Sequence, residues 1–483
     1  MNEQTLALLP LLITTATVVA AMLGIAVRRD HRFTASLMFA GLALALLSLM
    51  PGLFAASPTA VAVTGLIVVD GIARIAMALI LVTTLGVLTL CPAYFSGYGD
   101  NREEIYLLIG VGTVGALTLA SANHAASLLL GLELLSLPMV GAVAYTIERP
   151  RSIEGGVKYL VLSAAASATL LFGVALIYAD SGALDIASLS AAIAGAGLGS
   201  PLVTVGAVMV LAGIAFKLSF VPFHQWTPDV YEAAPLPVTA YLATVVKLGA
   251  FVAALRLLHA GIGSASPLIV TTIVVLALLS MVIGSLLALR QTSLKRLLAY
   301  SSIANFGYLA VVLALPGHAA VRAAGVYLVG YLIATLGVIG VMTVVSSPLG
   351  RRDHEQLDEY RGLFWHRPYL AAILIAMLLS LAGIPFTAGF IGKLAVLGVG
   401  VQAGQWWLVG GLVLASAIGI FYYLRVVNAV LTVTEPGSQR PAAIVGWVQR
   451  AGGVMLLFAV IATLWLGVFP QLLFTMGRHL VFP

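Results

Sequence analysis

Fourteen apolar stretches, most of them as long as the ~20 residues a helix needs to cross a bilayer, run along this chain with only short polar connections between them. They are 4–27, 34–56, 65–90, 105–121, 125–146, 156–179, 201–233, 236–259, 267–289, 294–315, 320–345, 369–401, 405–432 and 451–475. With 61% apolar residues, 9% charged residues and a mean hydropathy of +1.09, a soluble globule is excluded, since its charged fraction would be near a quarter. The fold expected is therefore all-α and polytopic, with about fourteen transmembrane helices. The sequence pI of about 9.4 does not point to nucleic acid, because the basic residues stand singly or in pairs between apolar runs.

Alternation of the connections across the membrane can be tested against the positive-inside rule. One side collects sixteen basic residues, among them Arg28, Arg29, Arg32, Arg149, Arg151, Arg290, Lys295, Arg296, Arg351, Arg352, Arg440 and Arg450; the other holds Arg74, Arg256, Arg322 and Arg478. Both termini are then expected outside the cytoplasm. Residues 1–5 lack a basic leader region, and the first span reads as a retained anchor. The one cysteine, Cys91, rules out a disulfide framework or a thiolate cluster and reads as a core or lipid-facing residue. The longest cytoplasmic connection, 346–368, reads as a solvated loop with an interfacial Phe364-Trp365 anchor, or as a docking segment. The outer connection 180–200 is rich in Ala, Gly and Ser and carries no evident chemistry.

Against this background four of the five lysines, Lys158, Lys217, Lys247 and Lys393, fall inside apolar spans, as does Glu133. An ionisable group near the bilayer centre costs roughly 2.5–3.5 kcal/mol on insertion scales and usually faces a protein interior or a water path. Charge or proton movement across the membrane is the natural use of such groups. Two spans are also broken beside a lysine: Pro222 follows Lys217, and Pro385 with Gly383, Gly389 and Gly392 precedes Lys393. Proline removes a helix hydrogen bond, and irregular backbone at membrane depth must be covered by protein or line a cavity. Paired breaks, one in each half, point to inverted repeats. The expected organisation is helices 1–3 over 1–104, one five-helix repeat over 105–260, a second over 261–432, and a last helix in 433–483.

The run Phe216-Lys217 through Pro222-Phe223-His224-Gln225-Trp226-Thr227-Pro228-Asp229-Val230-Tyr231, then Ala234-Pro235 and Lys247, resembles the signature region of the antiporter-like subunit N family of NADH-quinone oxidoreductase, respiratory complex I. Gly131-Leu132-Glu133-Leu134-Leu135-Ser136-Leu137, the stretch Ser293 to Ser302, and Ser380 to Lys393 are similar to the same family. The likeness covers the fourth to thirteenth spans. One departure is Glu232-Ala233-Ala234-Pro235-Leu236-Pro237, where Glu-Gly-Ala-Pro-Thr-Pro is expected.

The resemblance implies a proton-translocating membrane-arm subunit of a bacterial inner membrane, with Glu133 paired to Lys217, Lys247 central and Lys393 controlling the far side. It implies neighbouring antiporter-like and other membrane-arm subunits as partners. NADH, FMN, iron–sulfur clusters and quinone belong to other subunits, with no cofactor or metal on this chain. From the residues alone, a movable Glu133–Lys217 contact can toggle a proton on the lysine. Lys158 either joins the relay or snorkels to the interface, and His224 either relays protons or bonds a carbonyl opened by Pro222. His124, His259, His318 and His479 read as solvated or structural.

Gly110-Val111-Gly112-Thr113-Val114-Gly115 spells a dinucleotide fingerprint but lies within an apolar helix with no strand before it, so close helix packing explains it. Two other classes stay open beside the redox-driven pump: a subunit of a multi-subunit sodium/proton antiporter, and a structural membrane-arm subunit.

Overall fold

The computed structural model describes residues 3–53, 60–97, 102–259, 266–346, 353–433 and 447–477. Arg351, Arg352, Arg440, Arg478 and His479, with the side chains of His259 and Arg450, lie outside the described residues.

With no water in hydrocarbon to take up N–H and C=O groups, these apolar stretches satisfy their backbones as helices. In chain order they are α1 (Glu3–Val27), α2 (His31–Leu53), α3 (Gly71–Phe95), α4 (Glu104–Ser121), α5 (Ala125–Val143), α6 (Pro150–Ser181), α7 (Ile186–Ala194), α8 (Pro201–Leu218), α9 (Trp226–Ala233), α10 (Leu236–Tyr241), α11 (Lys247–His259), α12 (Pro267–Leu289) and α13 (Leu294–Leu313). There follow α14 (His318–Ser346), α15 (Leu363–His366), α16 (Pro368–Ala382), α17 (Ala388–Gln402), α18 (Trp406–Leu431), α19 (Trp447–Val468) and α20 (Gln471–Gly477). Prolines open α6, α8, α12 and α16, where a missing N–H costs nothing. The side chains of Asp70, Asp185, Ser293 and Thr387 cap α3, α7, α13 and α17.

Among the described residues thirteen helices, counting 236–258 as one, are long and apolar enough to cross a membrane, and the α16–α17 pair supplies a fourteenth passage. A π-turn, Leu242–Val246, joins α10 to α11. This span is buried along its length, whereas α1, α2, α6 and α19 keep most of their surface outward. The bundle is thus built around the helix that carries Lys247.

Three connections and one basic residue differ from the sequence reading. The third span starts at Gly71, because residues 61–69 form an antiparallel hairpin, β1 (Val61–Val63) and β2 (Ile67–Val69). The connection 180–200, expected to be featureless, holds α7. Arg256, expected as an outer flank, is buried: its guanidinium bonds both Asp70 oxygens at 2.8 and 3.1 Å and the Ala120 carbonyl at 2.9 Å. A fork this well satisfied offsets the desolvation of two charges. The loop after α14 is likewise not wholly solvated, since Asp353 is buried against Lys295 at 2.6 Å. Trp365 is exposed as an interfacial anchor would be, with its indole N–H donating to Leu431 O at 3.1 Å. Cys91 is a buried core residue.

Candidate functional site

Helix α8 stops at Leu218 where the chain turns through Ser219, in the left-handed region at φ 61°. Three of the carbonyls released there find donors. Ala215 O accepts from Phe220 N at 2.8 Å, and Phe216 O from Ser219 N at 3.0 Å and from the Trp226 indole at 3.0 Å. Leu218 O accepts from Lys247 Nζ at 2.7 Å. The same ammonium donates to Ser219 Oγ at 2.5 Å and lies 5.6 and 5.1 Å from the Trp226 and Phe306 ring centroids. A cation at a helix C-terminus meets the negative end of the dipole, and aromatic faces add to the attraction. Lys247 is therefore stabilised in the buried centre of the bundle by neutral groups.

Lys217, in the last turn of α8, points the other way and donates to Ser136 Oγ at 2.7 Å and Ser163 Oγ at 2.9 Å. The direct Glu133–Lys217 contact expected from sequence is absent: no ion pair within 4 Å joins them, and serines of α5 and α6 fill the ammonium's coordination instead. Glu133 sits one turn before Ser136 on α5.

The second break repeats the chemistry with different connectivity. Helix α16 ends at Ala382 with Gly383 at φ 82°, and Phe386 takes φ 70° before α17 begins. Lys393, one turn into α17, reaches back to donate to Ala382 O at 2.8 Å and to Ser416 Oγ of α18 at 3.0 Å. Its ammonium lies 5.4 Å from the Tyr308 ring centroid. Each break thus ends in a truncated helix whose terminal carbonyl is taken by a lysine that also holds a serine. Lys217, Lys247 and Lys393 are 6, 0 and 8% exposed, so none points into lipid.

Between the two breaks lies a buried polar cluster that the sequence did not single out. The π-turn frees the Ala243 carbonyl, which accepts from Tyr331 OH at 3.1 Å. Tyr331 OH is 2.8 Å from Ser302 Oγ, Ser301 Oγ bonds Tyr423 OH, and Asn305 spans Ser301 Oγ at 3.2 Å and Tyr327 OH at 2.5 Å. The Tyr327 ring stands edge-on to Tyr308, under Lys393. These are hydroxyl and amide groups at helical spacing on α13, α14 and α18. In one sequence their signal does not differ from ordinary buried tyrosine and serine.

Lys158 and His224 fall outside this core. Lys158 is half exposed on α6, between Glu154 at 2.8 Å and Asp229 at 3.0 Å. His224, in the α8–α9 connection, has its ring 6.5 Å from that of Tyr300 and a buried Nδ1 with no hydrogen-bond partner among the described residues. His124 caps α5 by accepting from Ala126 N at 3.1 Å. Among the described residues no group of three His, Cys, Asp or Glu side chains is placed to hold a metal ion.

A helix bundle with two interrupted spans and a lysine on each truncated end is not a general membrane architecture, and its likeness to known proteins is extensive. Residues 122–419 match the family described as NADH:quinone oxidoreductase/Mrp antiporter, TM. This chain belongs to that family. It is 50% identical over 97% of its length to a protein of Ectopseudomonas mendocina named NADH-quinone oxidoreductase subunit N, covering 95% of that protein. It is 49% identical over 99% of its length to one of the same name from Chromohalobacter salexigens, covering 99% of it. Among solved structures it is similar to a chain of respiratory complex I from Thermus thermophilus, at 33% identity and a TM-score of 0.81, over 96% of this chain and 98% of that one. A chain of the Mrp complex from Dietzia sp. superposes with a TM-score of 0.85 over 99% and 97% of the two chains, but at 22% identity that likeness is one of fold.

Proposed function

We propose that this chain is the proton-translocating, antiporter-like subunit N of a bacterial NADH:quinone oxidoreductase, set in the inner membrane among other membrane-arm subunits with both termini on the periplasmic side. In this reading the two broken spans are each the fourth helix of an inverted five-helix repeat, 105–260 and 261–432, flanked by 1–104 and 433–483. NADH oxidation, the FMN and iron–sulfur relay and quinone reduction take place on other subunits, and this chain carries no cofactor.

The observation that carries the reading is the bonding of the three buried lysines. Lys217, Lys247 and Lys393 hold backbone carbonyls and serine hydroxyls, and no carboxylate within 4 Å. A carboxylate at contact distance would fix each as an ammonium. A hydroxyl accepts from an ammonium and donates to a neutral amine, so these sites tolerate loss and gain of a proton without losing their partners. Glu133, one turn before Ser136 on α5, is the carboxylate whose negative charge we assign as a bias on Lys217. When the bias weakens, Lys217 passes a proton to bridging water, neutral Lys247 takes one up, and the buried cluster of Tyr331, Ser302, Ser301, Asn305 and Tyr327 supports transfer to Lys393. Each transfer leaves one lysine neutral and the next charged, so charge is conserved. His224, beside the first break, is the side chain we assign to feed this row, whereas Lys158, held between Glu154 and Asp229 at the rim, stays an ammonium and does not relay.

Purification of the chain with its bound partners in mild detergent tests the assignment. Flavin- and iron–sulfur-bearing subunits are expected to copurify; small antiporter subunits in their place would assign the chain to a cation/proton antiporter.

A further inference from the structure

The cytoplasmic half of the first broken span, α9, is eight residues long, about 12 Å at ~1.5 Å per residue, and both of its ends are engaged. At its N-terminal end Trp226 donates to Phe216 O, and Thr227 Oγ1 lies 2.5 Å from Ser219 Oγ, the hydroxyl that Lys247 holds. At its C-terminal end the carbonyls of Glu232 and Ala234 accept from Lys295 Nζ at 3.2 and 2.8 Å. Lys295 reads in the sequence as one more cytoplasmic flank, yet it is buried. Its third bond goes to Asp353 Oδ2 at 2.6 Å, with Glu355 Oε1 at 3.5 Å.

Asp353 belongs to the segment after α14, which is stitched to the start of α13 by Leu294 N to Glu355 O at 2.7 Å and Leu357 N to Thr292 O at 2.9 Å. Its other oxygen accepts from Tyr94 OH of α3 at 2.6 Å, and Arg149, before α6, reaches Oδ2 at 3.3 Å. Arg296 and Lys158 also hold α9 by its carboxylates Asp229 and Glu232, but on the rim, where ion pairs contribute little. The fully buried tie grips the backbone.

We propose that the Lys295–Asp353 pair is an interrepeat latch, a pair of positioning residues that sets α9 and through Thr227 and Trp226 fixes the Ser219–Lys247 contact. This rests on the relay reading for its functional consequence, while its structural consequence is independent. A short helix held at one end moves as a unit. A displacement of about 1 Å at a reacting contact can cost on the order of a hundredfold in rate, so loss of the far anchor reaches Lys247 without touching it.

The test uses the assembled complex in membranes. Asp353→Asn keeps the size and the Tyr94 contact but removes the nearer of the two carboxylates on Lys295, leaving Glu355 at 3.5 Å; Asp353→Glu restores a carboxylate. In Asp353→Asn, amide exchange across 226–234 is expected to rise about tenfold or more while α4 stays protected, and pumping per flavin to fall to about a third or less, with recovery of both in Asp353→Glu. If Asp353→Asn does not assemble, the double substitution Lys295→Met with Asp353→Leu, which removes both members of the fully buried pair together, carries the same comparison. Unchanged exchange in 226–234 overturns the latch, and so does failure of both designs to assemble, which makes the pair a folding element only. Loosened α9 with undiminished pumping keeps the latch as a structural tie and overturns its role in positioning Lys247; wild-type pumping in Lys247→Ala instead sinks the relay reading and leaves the exchange result standing.

Discussion

Replacing Lys247 by arginine separates a proton carrier from a fixed charge. The side chain is wholly buried, with its ammonium on Leu218 O and Ser219 Oγ between the rings of Trp226 and Phe306. A guanidinium keeps the charge and can still donate to both oxygens, at an overpacking cost of about 1–3 kcal/mol. That is within reach of a stability of roughly 5–15 kcal/mol, so the variant is expected to assemble. What it cannot do is let go of a proton. The ordinary pKa of arginine lies at least ~2 units above that of lysine, a difference of ~3 kcal/mol. The population ready to release a proton is then reduced on the order of a hundredfold, and pumping by inverted vesicles, normalised to flavin, is expected to fall to about a tenth of wild type or below. Lys247→Met should be equally poor. Wild-type pumping by assembled Lys247→Arg would refute the carrier role and make Lys247 an electrostatic element.

Ser219→Gly relieves a left-handed serine worth roughly 1–2 kcal/mol but removes the hydroxyl shared by Lys247 and Thr227, so thermal stability should hold or rise while pumping drops; equal pumping in a stable Ser219→Gly complex counts against the hydroxyl. Glu133→Gln and Ser136→Ala should both assemble and pump less than wild type, as should Lys217→Ala, because hydroxyl and carboxylate act on Lys217 together; undiminished pumping in Glu133→Gln and Lys217→Ala removes this end of the relay. Arg256→Met leaves Asp70 buried and unpaired, at about 3–5 kcal/mol, and should lower the thermal midpoint of the complex with pumping per assembled complex within about twofold of wild type; an unchanged midpoint would show the pair to be inert. Burial raises the Asp353 carboxyl pKa, but Lys295 and Arg149 outweigh it and hold the group below its ordinary value. Its contribution is therefore present above about pH 4 and lost only as pH falls through the depressed value, so α9 protection should be flat between about pH 6 and 8; a fall in that window would point to another titrating group.

The spans, the two breaks and the burial of Lys217, Lys247 and Lys393 were legible because hydropathy, proline and lone charges in apolar runs are strong local signals. Partners were not. That Lys217 would rest on Ser136 and Ser163 rather than Glu133 depends on how α5, α6 and α8 rotate against one another, and serines are too common in membrane helices to announce it. Lys295 was misread for a related reason: flanked by Arg296 and followed by an apolar run, it has the pattern of a cytoplasmic flank, and only the return of Asp353 from 58 residues away buries it. Arg256 was read as a flank in the same way, and its partner Asp70 is 186 residues distant. The hairpin at 61–69 was absorbed into a span because its residues are as apolar as a helix.

The two breaks show why lysine, rather than an acid, suits these positions. A helix cut short at membrane depth exposes carbonyls that lipid cannot satisfy. Lys247 and Lys393 supply N–H donors to Leu218 and Ala382, and an amine still has donors after it has lost a proton, whereas a carboxylate has none in its charged form. The backbone break is thus kept satisfied in both protonation states. Connectivity differs, with Lys247 on the following span and Lys393 on the second half of the broken span itself, yet the terminal carbonyl, the lysine and the serine recur. What is repeated between the halves is therefore the local solution to an opened helix, and a substitution that supplies donors without a removable proton should keep the fold at either break and stop the traffic through it.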